Sequence, residues 1–191
     1  MPIRLSPSNA RFWNDSRAVG SSRRRAAEIE ASEDAIRQAR DAGIEILPRP
    51  VVGKPYDFSL TDTKGRVIRS AELKGKVVLI DCWATWSGPC TEKLPRLKAL
   101  YERRRGEGFE VIGLNFDLNR GHADSMVKAL GLTWRQVFVP ADDRTRFLWK
   151  QGPELPSYPR SLLIDRQGIL RWDGGPGELD ARVAELLRQG H

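Results

Sequence analysis

The stretch GKVVLIDCWATWSGPCTEKLPRLKALY, residues 75–101, carries the strongest structural pattern of the sequence. Its run VVLID, residues 77–81, is largely apolar and β-branched, which is typical of a strand buried on both faces. Downstream, a helix is predicted over about residues 89–105, because apolar side chains recur at helical spacing, at Leu94, Leu97, Leu100 and Tyr101. The stretch therefore predicts a buried strand, a tight turn and a helix, with Cys90 at the helix N-terminus.

Strands and helices alternate along the rest of the C-terminal three quarters of the chain. Residues 57–68 have the pattern of a strand, a turn and a second strand. Further strands are predicted at 109–115, 134–139, 161–165 and 169–172, and further helices at 123–131, 144–151 and 178–189. Such an alternation packs as a sheet with helices on its faces, so we expect an α/β sandwich with a central mixed sheet.

The first 50 residues differ in character from this pattern. Residues 1–22 are polar, residues 23–43 are rich in Ala, Glu and Arg and predict a helix, and residues 44–55 contain three prolines. We therefore place a domain boundary near residue 50. It separates an arm with a helix and a proline-rich connector (1–50) from a folded domain (51–191).

Composition excludes several classes of protein. The chain has 191 residues, of which 40% are hydrophobic, so it can bury a core. Its net charge is +7, but the basic residues are spread along the chain, so no nucleic-acid partner is expected. Two cysteines and two distant histidines make neither a disulfide framework nor a His/Cys metal site, and no motif requires a cofactor.

No targeting segment is evident in the sequence. No apolar run reaches the ~20 residues of a membrane span or the ~7–15 residues of a signal-peptide core. The sequence therefore predicts a soluble chain without a signal peptide of its own. A fragment whose export signal had been removed would have the same sequence.

Cys90 is the first candidate for chemistry. The free N–H groups and the dipole of a helix N-terminus favour an anion, and they lower the pKa of a thiol placed there. A cysteine in this position is a candidate redox group. The alternative is a buried and inert thiol, which is common for free cysteines.

The segment 75–101 resembles the active-site segment of TlpA/ResA-like thiol–disulfide oxidoreductases, which reads G-K-V-V-L-x-x-F-W-A-T-W-C-x-P-C. Upstream, VGKPYDFSLTDTKGRVIRSAELKGK (52–76) resembles the family's N-terminal hairpin. Downstream, YPRSLLIDRQGIL (158–170) resembles its P-x-x-F-L-I-D-x-x-G segment. The resemblance covers about residues 52–189. It implies a thioredoxin-like fold, with a mixed sheet flanked by helices and preceded by a β-hairpin.

The sequence departs from the family at the first cysteine of the motif, where Ser87 stands. Cys90 matches the second, resolving cysteine. Disulfide exchange begins with attack by a thiolate, and a serine hydroxyl cannot form the mixed disulfide. We therefore expect no two-cysteine exchange. Ser87 remains a good helix N-cap, and Gly88 and Pro89 preserve the turn.

The resemblance also assigns roles around Cys90. Asp81 matches the position where thioredoxins carry a buried aspartate beneath the second cysteine. That aspartate passes protons during exchange, and burial raises its pKa. Many family members carry a Glu three residues after that cysteine, where this chain has Lys93. Cys82, on the opposite strand face from Asp81, is expected to be a buried thiol that is not bridged to Cys90.

A substrate groove is implied as well. Pro159 matches the family's cis-proline, which faces the active-site cysteine and binds an extended chain, and Tyr158 would line the groove. Gly88, Pro89 and a partly exposed Trp86 would contact the same chain. The expected partners are protein thiols or disulfides.

Three functions stay open on the sequence. In the first, the chain is a TlpA/ResA-like protein that binds partners in the groove, with Cys90 inert or acting as a single thiol. In the second, it is a one-cysteine peroxidase. Peroxiredoxins carry Ser or Thr three residues before the reactive Cys, which is where Ser87 stands relative to Cys90. They also need a Pro four residues before that Ser or Thr, where this chain has Trp83, and a catalytic Arg, from which Arg160 is displaced by about one residue. In the third, it is a structural module with residues 1–50 as its contact segment. If the habit of TlpA/ResA-like proteins holds, the location is extracytoplasmic.

Overall fold

The computed structural model describes residues 50–139, 159–175 and 177–189. The predicted helices over 23–43 and 144–151, together with Tyr158, lie outside these residues. The described strands are β1 Ser59–Thr61, β2 Val67–Arg69, β3 Val77–Trp83, β4 Phe109–Asn115, β5 Arg135–Phe138, β6 Arg160–Ile164 and β7 Leu170–Gly174. The described α-helices are α1 Gly88–Arg104, α2 Arg120–Leu130 and α3 Leu179–Arg188.

Five of these strands form one mixed sheet in the order β5-β4-β3-β6-β7. Strands β3, β4 and β5 are parallel, whereas β6 is antiparallel to β3 and β7 is antiparallel to β6. Strands β1 and β2 form a separate antiparallel hairpin. The predicted α/β sandwich with a mixed sheet and an N-terminal hairpin is therefore confirmed.

Strand β3 lies at the centre of this sheet, and all seven of its residues are buried. Because successive side chains of a strand point to opposite faces, β3 contributes to two cores. Val78, Ile80 and Cys82 belong to the core that includes the β1–β2 hairpin. Trp83 belongs to the second core, which includes Cys90 and the apolar residues of α1 and α3. The two cysteines are therefore on opposite faces of the sheet.

Helix α1 begins one residue before its predicted start and buries the predicted face. Pro89 occupies its first turn, where the missing N–H is tolerated. Leu94, Leu97 and Leu100 are buried against the sheet, and Pro95 is accommodated within the helix. The terminal helix α3 likewise buries the predicted set of Leu179, Val183, Leu186 and Leu187.

Helix α2 begins three residues before the predicted start at residue 123. The reason is a side-chain cap, because Asn119 Oδ1 accepts a hydrogen bond from the Gly121 N–H at 2.8 Å. The helix ends as predicted at Gly131, whose φ of 61° is left-handed. No helix in the described ranges is both long enough and apolar enough to cross a membrane.

Candidate active site

The turn between β3 and α1 presents the Ser-Gly-Pro-Cys motif. The Ser87 carbonyl accepts hydrogen bonds from the Cys90 N–H at 3.0 Å and the Thr91 N–H at 3.1 Å. Ser87 is the N-cap in an extended conformation, but its side chain makes no capping hydrogen bond. The expected capping role is thus only half right: the backbone of Ser87 closes the first turn, and its hydroxyl does not take part.

Cys90 lies in the first turn of α1, as predicted. Its thiol is free, and its side chain is 0% exposed within the core shared by β3 and α1. Ser87, at the position of the nucleophile in the family, is only 8% exposed. The site therefore has no exposed thiol, and a reagent can reach Cys90 only if the turn opens.

Cys82 is a buried thiol on the opposite face of the sheet, and it is also free. Burial and the neighbouring Asp81 carboxylate together raise its pKa to about 12, against the opposing charges of Lys93 and Arg160. The expectation of a buried thiol that is not bridged to Cys90 is confirmed.

Asp81 is fully buried on the α1 side of the sheet. The Lys93 ammonium donates a hydrogen bond to Asp81 Oδ1, and the Ser161 hydroxyl donates to the same oxygen at 2.9 Å. Burial raises the pKa of Asp81, while the charge and hydrogen bond of Lys93 and the hydrogen bond of Ser161 oppose that rise.

The Lys93–Asp81–Ser161 cluster was not anticipated from the sequence. From the sequence alone, Lys93 is only a departure from the family's Glu, and Ser161 has no predicted role. A signal was present, since Lys93 follows Cys90 by three residues and precedes Leu97 by four, which places it on the buried face of α1.

Trp86 lies on the surface beside the motif and is 60% exposed, as the sequence predicted. The preceding residue is anchored to the loop after β4, because Asp117 Oδ1 accepts hydrogen bonds from the Thr85 N–H at 2.8 Å and from the Thr85 hydroxyl at 2.9 Å. Asp117 is in turn held by the Asn115 side chain at 3.0 Å. Leu118, which follows Asp117, is 76% exposed. The sequence reading missed this anchored loop.

Trp83 is part of the core, as predicted. It is 0% exposed, and its indole N–H donates to Gln136 Oε1 at 3.2 Å. Trp83, at the end of β3, thus packs in the core, and Trp86, in the turn, faces solvent.

Pro159 leads directly into β6, and the backbone register places it at the motif end of β3. Arg160 pairs with Cys82 and Ser161 with Asp81 across the two antiparallel strands, so Pro159 lies level with the end of β3. Since Tyr158 is outside the described residues, its place in the groove and the cis form of the Tyr158–Pro159 bond stay predictions.

Arg160 does not face Cys90. It belongs to the Cys82 side of the sheet, and its guanidinium donates to both carboxylate oxygens of Asp173 at 2.6 and 2.5 Å. The described residues also contain no group of three or more His, Cys, Asp or Glu side chains that could hold a metal ion. The structure therefore places Ser87 and Cys90 in one turn, links Asp81 to the same helix through Lys93, and leaves Arg160 on the other face.

Comparison with known proteins assigns the family. A model described as the AhpC/TSA family matches residues 52–173, which is more than half of the chain. The chain belongs to the AhpC/TSA family. The match spans the β1–β2 hairpin, the motif and the β6–β7 hairpin, so the same three segments that carry the resemblance to TlpA/ResA-like proteins fall within it.

Curated relatives and solved structures agree with this assignment. Thiol-disulfide oxidoreductase ResA of Geobacillus kaustophilus is 30% identical over 115 residues, covering 60% of this chain and 63% of the relative. ResA of Bacillus cereus is 32% identical over 114 residues, covering 59% and 62%. The chain thus spans less than two thirds of the length of these curated relatives.

Among solved structures, a thiol-disulfide oxidoreductase from Bacteroides vulgatus is 31% identical with a TM-score of 0.54, covering 74% of this chain and 88% of that one. The thioredoxin domain of another thiol-disulfide oxidoreductase from Bacteroides vulgatus has a TM-score of 0.63 at 23% identity, covering 73% and 99%. The latter shows the fold alone. Both structures confirm a thioredoxin-like fold, and the family match with the ResA relatives supports the TlpA/ResA-like assignment.

Proposed function

We propose that this member of the thiol–disulfide oxidoreductase family binds extended segments of proteins that carry thiols or disulfides, and that it does not perform two-cysteine exchange. One observation carries the proposal. Ser87 stands at the N-cap, where the attacking cysteine of the family belongs, and the remaining cysteine of the motif is 0% exposed.

The chemistry of exchange requires a thiolate that can reach the sulfur of a substrate. A serine hydroxyl is far less acidic than a thiol and forms no mixed disulfide. Cys90 is placed to resolve a mixed disulfide made by residue 87, and its burial prevents it from starting one. A scaffold with these two properties retains a binding surface and lacks the first step of the reaction.

The surface beside the motif supports a binding role. Trp86, Gly88 and Pro89 are exposed, and Pro159 is half-buried at the same end of the sheet. An exposed tryptophan beside a turn offers a large apolar contact with few rotatable bonds. Tyr158 is proposed to complete this surface from the segment before β6.

The alternative of a one-cysteine peroxidase has less support. A peroxidatic cysteine must be reached by peroxide and activated by a nearby cation. Here Cys90 is buried, and Arg160 lies on the other face of the sheet in a two-point contact with Asp173. A peroxide-consumption assay on the purified chain, with Cys90→Ala as control, should give equal background rates.

The proposal is tested by measuring binding and reduction separately. Reduced, unfolded ribonuclease A serves as a thiol-bearing probe for titration calorimetry, and insulin serves as a disulfide substrate. We expect saturable binding of the probe that Trp86→Ala weakens, together with insulin reduction at the rate of buffer. Turnover of insulin above that rate, or no detectable binding of the probe, would contradict the proposal.

Because TlpA/ResA-like proteins act outside the cytoplasm, we extend the proposal to an extracytoplasmic location. Fractionation of the native host, with detection by antibody, tests this part alone. A signal confined to the cytoplasmic fraction would remove the location and leave the binding proposal in place.

A further inference from the structure

A buried lysine lies one helical turn beyond Cys90. Lys93 is 6% exposed, and its ammonium donates to Asp81 Oδ1 and, at 3.4 Å, to the Ser161 hydroxyl. Ser161 donates to the same Asp81 oxygen at 2.9 Å. The three side chains come from α1, β3 and β6, and Asp81 and Ser161 are direct partners across the two strands. They form one closed cluster beneath the motif.

The electrostatics of this cluster depend on Lys93. A charge buried away from water is costly unless an opposite charge and hydrogen bonds compensate it. The second carboxylate oxygen of Asp81 is buried and has no hydrogen-bond partner among the described residues. The hydrogen bonds from Lys93 and Ser161 therefore reach only one of the two carboxylate oxygens. The positive charge of Lys93 must compensate the rest of the buried negative charge.

We infer that Lys93 is a positioning residue of this site: its ammonium holds the Asp81 carboxylate as an anion and fastens the first turns of α1 to β3 and β6 beneath Cys90. Lys93 follows Cys90 by three residues, and Ser161 follows Pro159 by two. The cluster thus connects the two elements that carry the proposed binding surface.

Among the described residues, the other elements around Asp81 present no competing cation. Strand β4 places Gly113 beside it, and α3 packs on this side of the sheet with apolar side chains. On the opposite face, Arg160 is engaged by Asp173. Two described thiols also lie on these faces, Cys90 on the same face as Asp81 and Cys82 on the opposite one. Within the described part of the chain, Lys93 is the cation in contact with Asp81.

This inference rests on the proposed function and deepens it. The resemblance implies that Asp81 passes protons during exchange. A carboxylate paired with an ammonium has a lower proton affinity than a lone buried carboxylate, so it is a weaker acceptor for a thiol proton. The pair thus suits a site in which Asp81 fastens the helix to the sheet and does not serve as a proton acceptor.

The test is a pH titration of the Asp81 carboxyl by infrared difference spectroscopy. The band of Asp81 is identified by its loss in Asp81→Asn. Lys93→Gln keeps a hydrogen-bond donor and removes the charge, whereas Lys93→Met removes both. We expect the protonation midpoint of Asp81 to rise by about 1–3 pH units in each variant, which is roughly a 10- to 1000-fold gain in proton affinity.

An unchanged midpoint in a folded Lys93→Gln protein would overturn the inference, because a purely structural lysine would not set the protonation of Asp81. If neither variant folds, the unsubstituted protein decides: an ionised Asp81 at neutral pH supports the inference, and a protonated one overturns it. Insulin reduction is not part of this readout. An unchanged Asp81 midpoint would therefore contradict the role of Lys93 and leave the proposed function untouched. Insulin turnover by the unsubstituted chain would contradict the proposed function and leave the Asp81 midpoint unaffected.

Discussion

Cys82 and Cys90 lie on opposite faces of the central sheet. Cys82 packs in the core with the β1–β2 hairpin, and Cys90 packs in the core with α1 and α3. A disulfide requires Cα atoms within about 7 Å and side chains that point toward each other, which two faces of one sheet do not allow.

Both thiols should therefore be free in the isolated protein and protected while it is folded. Alkylation without reductant, followed by mass spectrometry, should add two labels after unfolding and react slowly before it, because both cysteines are buried. No label after unfolding would mean that the two cysteines are bridged and that the face assignment is wrong.

Ser87→Cys should confer reduction of insulin by a dithiol. The new thiol would lie at the N-terminus of α1, where the dipole and free N–H groups stabilise a thiolate, and Cys90 would resolve the mixed disulfide. We expect a rate at least about tenfold above that of the unsubstituted chain, or about 1.4 kcal/mol of activation free energy.

Two matched variants control this experiment. Ser87→Ala should stay at background, and Ser87→Cys combined with Cys90→Ala should lose turnover and accumulate mixed disulfide. If the unsubstituted chain already matches Ser87→Cys, Cys90 is sufficient and the loss of the nucleophile is not what limits the protein.

The protein should lose stability between pH 9 and about 12 through Cys82. Burial raises the pKa of this thiol from 9.0 to about 12, so over that range the folded state keeps a proton that the unfolded chain releases. The free energy of unfolding then falls as pH rises, by at most about 1.4 kcal/mol per pH unit. Below pH 9 this contribution is fully present.

Denaturant unfolding at a series of pH values measures this slope, and Cys82→Ala is the control. The variant should be less stable near neutral pH because it leaves a cavity, and it should show a shallower decline above pH 9. Parallel declines in the two proteins would assign the alkaline loss to other groups.

Gly113→Ala should destabilise the fold through Gln136. A Cβ at this position would overlap the side-chain amide of Gln136, whose oxygen accepts the indole N–H of Trp83. Displacing that amide leaves a buried indole N–H without its partner, at a cost of about 1–3 kcal/mol.

The double variant Gly113→Ala with Gln136→Ala separates the overlap from the lost hydrogen bond. Its unfolding free energy should fall by less than the sum of the two single changes, because the second change removes the overlap. If the losses of unfolding free energy in the two single variants add up to that of the double variant, overlap with Gln136 is not what disfavours alanine at position 113.

The strand–turn–helix segment could be predicted because its determinants are local. The apolar run of β3 and the helical spacing of Leu94, Leu97 and Leu100 are properties of neighbouring residues. The stop of α2 at Gly131 is local as well. The predicted start of α2 was wrong by three residues because the apolar pattern begins only after the capping Asn119.

The Lys93–Asp81–Ser161 cluster could not be predicted in the same way. A lysine in a helix is usually solvated, and its burial here depends on the packing of α1 against two strands that are distant in sequence. The same holds for Asp117, whose contact with Thr85 joins the loops that follow the adjacent strands β3 and β4. From the sequence, Asp81, Ser87 and Cys90 are candidates, whereas the side chains that contact Asp81 could not be predicted.

The hydrogen bonds from Thr85 to Asp117, and from Asn115 to Asp117, have a consequence for recognition. They fix the backbone that precedes Trp86 to the end of β4, so one side of the proposed binding surface is in place before a partner would bind. The entropy lost on association is then mainly the partner's. A flexible, unfolded segment loses more conformational entropy on binding than a segment that is already extended in the free partner. Affinity should therefore depend more on the conformation of the free partner than on its sequence.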